Sequence, residues 1–98
     1  MWTYSNDALA DDGYVDLPDA TFGSLTISWS SAGTAAGYIG TVGTAGSQIA
    51  TATITNNAAW AATDSDGYLC LIDTGTACRF KNRTGEAGRV VIIYCYQE

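Results

Sequence analysis

The sequence predicts an all-β fold, a single-domain antiparallel β-sandwich or jelly-roll-like barrel of seven or eight short strands. Three observations lead there. No segment of the 98-residue chain keeps a helical hydrophobic period over three turns. Apolar and polar residues instead alternate with a period of two in several short runs. Gly, Thr and Ser recur at close spacing and punctuate those runs, as in small sandwiches. The length suits one domain.

Each element follows from local chemistry. Five of the first twenty residues are Asp (7, 11, 12, 16 and 19), and Asp11-Asp12-Gly13 is a turn signal. Tyr14 to Leu17 forms a short strand stopped by Pro18, the only proline. Residues 1–23 are therefore expected as an acidic, irregular N-terminal arm plus the first strand, with 24–98 as the sandwich body. The clearest strand is Ser24 to Ser30, where Leu25, Ile27 and Trp29 oppose Thr26, Ser28 and Ser30. Gly37, Gly40, Gly43 and Gly46 then recur every third position, which predicts short β segments at Tyr38-Ile39 and Val42 separated by glycine turns. Ile49 to Thr55 alternates again, and Asn56-Asn57 turns the chain. Asp64-Ser65-Asp66-Gly67 feeds Tyr68 to Ile72, apolar at both registers as a central strand would be. In Ala77 to Arg83, Cys78 and Phe80 face inward and Arg79, Lys81 and Arg83 outward. Arg89 to Tyr96 is the final strand, β-branched and aromatic.

The core is thin. Ala supplies 15 residues, whereas Leu, Ile, Val and Phe total 18. Three Trp and six Tyr compensate, so the core is expected to rest on aromatics, with Trp29, Trp60, Phe80 and Ile92 as members. A domain so built is expected to lean on partners.

Composition excludes several functions. The chain has no His, which removes Ser-His and Cys-His nucleophile pairs and the commonest general base and metal ligand. A carboxylate pair for glycoside hydrolysis could be assembled from Asp64, Asp66, Asp73 or Glu86, but these sit in turn signals, where Asp serves the backbone. An enzyme is not expected, and no cofactor. Asp64-x-Asp66-Gly67 has the start of a calcium loop without its distal Glu, so a plain turn and no metal site is expected. Cys70, Cys78 and Cys95 form no Cys-x-x-Cys pair and are expected as reduced, largely buried thiols made in a cytosol. No apolar run approaches a membrane span, and Met1 to Asp7 lacks the marks of a signal peptide.

The charges are segregated. The net charge is −6, and all four cations (Arg79, Lys81, Arg83, Arg89) follow residue 78. An acidic balance disfavours nucleic acid as a partner. Two readings of the split stand: a solvated strand face with Asp scattered in turns, or an acidic region of one subunit meeting the basic patch of its neighbour. Under the second, Arg79, Lys81, Arg83 and Arg89 form a charged subunit contact, and Trp2, Tyr4, Asp7, Asp11 and Asp12 form a docking arm.

Three stretches, DDGYVDLPDATFG (11–23), DSDGYLCLIDTG (64–75) and RFKNRTGEAGRVVIIYCY (79–96), resemble small β-rich virion proteins of tailed bacteriophages. The likeness covers about half the chain and is one of pattern. It implies a virion structural component made in the bacterial host cytoplasm, within that group a capsid decoration (cement) protein. Such a protein sits on the major capsid protein as a homo-oligomer, a trimer, without nucleic acid or membrane. The alternatives are a fibre or spike tip binding a host-surface receptor, and a carbohydrate-binding module. Exposed aromatics in a row would favour these two, and burial of aromatics between subunits the first.

Overall fold

The computed structural model describes residues 1–45, 48–55 and 57–96, with only the backbone course over 48–55 and at 57. Among the described residues the chain forms nine strands, where seven or eight were expected: β1 (Trp2–Leu9), β2 (Tyr14–Asp16), β3 (Gly23–Ser31), β4 (Thr34–Gly43), β5 (Gln48–Thr55), β6 (Trp60–Ala61), β7 (Leu69–Asp73), β8 (Cys78–Asn82) and β9 (Gly88–Tyr96). One short 3-10 turn, Asn57–Ala59, leads into β6. The strands make two sheets, ordered β1-β9-β3-β4-β5 and β2-β8-β7-β6. All pairings are antiparallel except β6 with β7.

Alternation decides which side chains are buried. In β3, Leu25, Ile27 and Trp29 point inward, and β9 beside it buries Val90, Ile92 and Tyr94. The four-stranded sheet answers with Leu69, Leu71, Cys78 and Phe80 in the same core cluster. Aromatic rings join the two sheets: Trp29 and Trp60 each lie 6.2 Å from Phe80, and Tyr38 lies 5.9 Å from Trp60. Trp29, Phe80 and Ile92 are thus core residues as expected, while Trp60 is half-buried against that core. Gly88 lies so close to the Trp29 ring that a Cβ there would overlap it.

Two segments differ from the sequence-based expectation. Trp2–Leu9 is not irregular but a full edge strand on β9, with Trp2 and Tyr4 packed against the core. The glycine-rich stretch after residue 33 is not a set of short segments but one continuous ten-residue strand, β4. Ladders on both sides, to β3 and β5, outweigh the weak strand preference of Gly37 and Gly40. The glycines leave only a register shift against β5 between Gly40 and Val42. The expected side-chain alternation of Ile49 to Thr55, and the turn at Asn56, lie outside the described residues.

Two buried polar residues tie the loops down. The Asn82 amide donates to the carbonyls of Leu9 (3.1 Å) and Glu86 (2.8 Å) and accepts from the Thr84 N–H (3.1 Å). Thr44 Oγ1 accepts from the Ala20 N–H at 2.6 Å and donates to the Pro18 carbonyl at 2.7 Å. Both are buried and fully bonded, as buried polar groups must be.

Candidate functional site

The outer faces of the two sheets are unlike, and the difference starts from strand register. Phe80 points into the core, so its neighbours Arg79 and Lys81 point out, as does Arg83 beyond Asn82. β2 lies alongside with Asp16 opposite Arg79 and Tyr14 opposite Lys81. Arg79 grips Asp16 with two hydrogen bonds (2.7 and 3.2 Å) and lies 3.9 Å over the Tyr14 ring. Lys81 Nζ meets Asp64 at 3.0 Å. Arg83 reaches Asp64 at 3.0 Å, Asp12 at 3.1 Å and Asp66 at 3.6 Å. Arg89, on the other sheet, meets Asp7 at 3.4 Å. The hydrogen bond from Lys81, aided by Arg83, holds the Asp64 carboxyl below the usual carboxylate range. Asp16 raises Arg79, and Asp64 with Asp12 raises Arg83.

The chain between β6 and β7 closes this face. Cys70 stands opposite Lys81 on the outer side, yet it is fully buried. The Ser65 N–H points at Cys70 Sγ (3.4 Å), and Gly67 N–H bonds the Arg83 carbonyl (2.7 Å). Burial raises the Cys70 thiol, and on the core side it pushes Cys78 up to about 12.

Among the described residues, the outer face of the five-stranded sheet carries exposed apolar and hydroxyl side chains. Asp7 and Arg89 are the only charged residues in its five strands, and they pair with each other at one end. Register aligns Thr3, Ile93, Thr26 and Ile39 in one row across four strands, and Ser5, Val91, Ser28 and Gly37 in the next. Ile39 is 63% exposed, Ile93 38% and Val91 37%. Cys95 is exposed on the same side, opposite Ser24.

The structure therefore brings together two sets of residues that the sequence analysis held apart. Asp7 and Asp12 of the expected arm meet Arg89 and Arg83 of the expected subunit contact, within one chain. Asp11 accepts the Gly85 N–H at 2.9 Å, and Trp2 stacks on Tyr4 at 6.3 Å. The expected turn at 64–67 spends both Asp64 oxygens on Lys81 and Arg83. Among the described residues no group of His, Cys, Asp and Glu is placed to hold a metal ion. Sequence reasoning missed the exposed apolar face, although Arg89 to Tyr96 carries its signal: it is apolar at inner and outer registers alike.

The exposed aromatics Tyr14, Phe22 and Tyr68 sit on β2, before β3 and before β7, rather than in a row along one strand. At one end of the sheets, loops enclose a recess of about 240 Å³ lined by Ser31, Thr34, Leu69, Thr84, Glu86 and the edge of Trp29, which is itself buried. Compared with known proteins, the chain matches no family model, no curated protein and no solved structure.

Proposed function

We propose that this chain is a structural assembly protein, a capsid decoration protein of a tailed bacteriophage that attaches to the shell as an oligomer. One observation carries the assembly reading: a broad sheet face with exposed Ile39, Val91 and Ile93 and a single ion pair, Asp7–Arg89, at one end, on a domain whose other cations are paired on the opposite sheet. Exposed apolar surface of this kind marks interaction sites. The bacteriophage part rests on the three resembling stretches. The strand order supports a jelly-roll-like sandwich, since β1 and β2 run beside β9 and β8 in separate sheets, pairing the chain's first and last ribbons. The β3-β4-β5 meander departs from that pattern.

The alternatives have less to support them. A glycan-binding tip or carbohydrate module needs an open aromatic platform, whereas Trp29 is buried and Arg79 occupies the Tyr14 ring. The test is to add the purified chain to shells of the encoding phage that lack it. Cosedimentation with the shells and a higher shell disruption temperature support the reading. A chain that stays in the supernatant at every concentration overturns it.

A further inference from the structure

We propose that two copies of this chain stack face to face through the outer side of the five-stranded sheet. The inference rests on the assembly reading above and names the partner of its face. The first argument is charge. At a net charge of −6, most surfaces of this chain repel a second copy. The outer face of the five-stranded sheet is the exception, because Asp7 and Arg89 are the only charged residues in its strands and they cancel. Stacked there, the two charged faces lie on opposite outsides of a four-layer pile. At about 10 Å per sheet spacing they are roughly 30 Å apart, well beyond a screening length of about 8 Å at physiological salt.

The second argument is anatomy. Ile39, Ile93 and Val91 flank Thr26 and Ser28 of β3, the middle strand, so the apolar groups lie at the centre of the face. Small hydroxyl residues surround them, and the single ion pair stands at one end. An apolar centre with a polar margin is the usual arrangement of an interface. A two-fold axis along the middle strand keeps both Asp7–Arg89 pairs at the same end of the pile, on its rim, where each pair is neutral by itself.

The third argument is size. Five strands at about 4.8 Å and eight residues at about 3.3 Å give roughly 600 Å² per copy, or about 1,200 Å² in all, the lower bound for a specific interface. Association is therefore concentration-dependent. An isologous face also closes at two copies, one fewer than the trimer the resemblance implies.

The experiment measures mass by sedimentation from micromolar to millimolar chain, together with alkylation of Cys95, the exposed thiol on that face. The expected mass rises to twice the 10.2 kDa of one chain, and Cys95 alkylation slows several-fold over the same range. Ile39→Glu and Ile93→Glu each move the association midpoint at least tenfold higher, while Lys81→Met on the other sheet leaves it unchanged. A single-chain mass with constant Cys95 reactivity overturns the proposal, as does a dimer indifferent to both glutamates. Should the glutamate variants not fold, Cys95 in the unmodified chain decides. A monomer that still binds shells, with Cys95 protected only there, overturns the dimer and keeps the proposed function; a dimer that ignores shells does the reverse.

Discussion

Cys70 and Cys95 occupy equivalent places on the two sheets, each pointing away from the core on a paired strand, and meet opposite fates. Cys70 is buried beneath the 62–66 segment, beside an acid–base network, whereas Cys95 is exposed among Ser and Thr. The chain closes one outer face with its own loop and its own acids and leaves the other open. Strand alternation therefore determines which side chains leave the core, but loop length and charge determine whether they reach water. The β6–β7 connection is long enough to fold back over its sheet, while β3 and β4 are joined by a tight turn at Ala32-Gly33 that covers nothing.

Thiol chemistry on the dilute chain should separate the two faces most strongly. Cys95 should react at the rate of a free thiol, and Cys70 and Cys78 only through unfolding. At a stability of about 5 kcal/mol, the low end for domains, that slows them by several thousand-fold. Mass spectrometry of the alkylated peptides reads the difference. Two thiols reacting rapidly would mean that the 62–66 segment does not cover Cys70.

The next largest effect is expected from Asn82→Ala. The amide holds the Leu9 and Glu86 carbonyls, and each buried group left without its donor costs about 1–3 kcal/mol. A loss of about 3 kcal/mol in urea unfolding follows, with faster Cys70 alkylation and no change at Cys95. A loss under about 1 kcal/mol would show that water replaces the amide and that the loops are held by other contacts.

The fold class was legible because two strands are unambiguous: β3 alternates strictly, and Cys78 and Phe80 alternate with cations. The ion pairs were less so. Arg79 and Asp16 are 63 residues apart, and only the β2–β8 register brings them together. Charge segregation along the chain leaves both a solvated strand face and a contact between subunits open, and within one chain the acids of the first ribbon and of the β6–β7 connection already meet the cations. β1 was hidden by its Asn and Asp, although Trp2 and Tyr4 at alternate positions mark an inner face. β4 was hidden by glycines that fit a ladder only when strands flank them on both sides. The open face was written in the double apolar register of β9, which equally suits a strand buried on both sides.

A smaller effect is expected from acid. Asp64 is held below the ordinary value of 3.8, first by the Lys81 hydrogen bond and then by Arg83. The unfolded chain therefore takes up its proton at higher pH than the folded chain does. The stability this carboxylate contributes is fully present above the unfolded value and is lost as pH falls through the folded one. Urea midpoints of the unmodified chain and of Asp64→Asn should differ at about pH 6 and converge as pH falls below the ordinary carboxylate range. A gap that persists in acid would assign the effect to packing. Lys81→Met should narrow the gap at neutral pH, because it removes the larger of the two causes.

The smallest effect is expected on the open face, and its smallness is the point. Ile39 is 63% exposed and Ile93 38%, and both stand on the outer side of the sheet, away from the core. Ile39→Thr and Ile93→Thr keep a β-branched side chain, and with it the preference for an extended strand. Exposed substitutions of this sort change stability by about 0.5 kcal/mol or less. The urea midpoint of either variant should match the unmodified chain when both are dilute. Concentrated, the unmodified chain should become the more stable, because association adds stability by mass action and the variants associate less. If instead Ile39→Thr lowered the dilute midpoint by more than about 1 kcal/mol, the residue would belong to the fold, and the face would be no more open than the one that Asp64 and Ser65 cover.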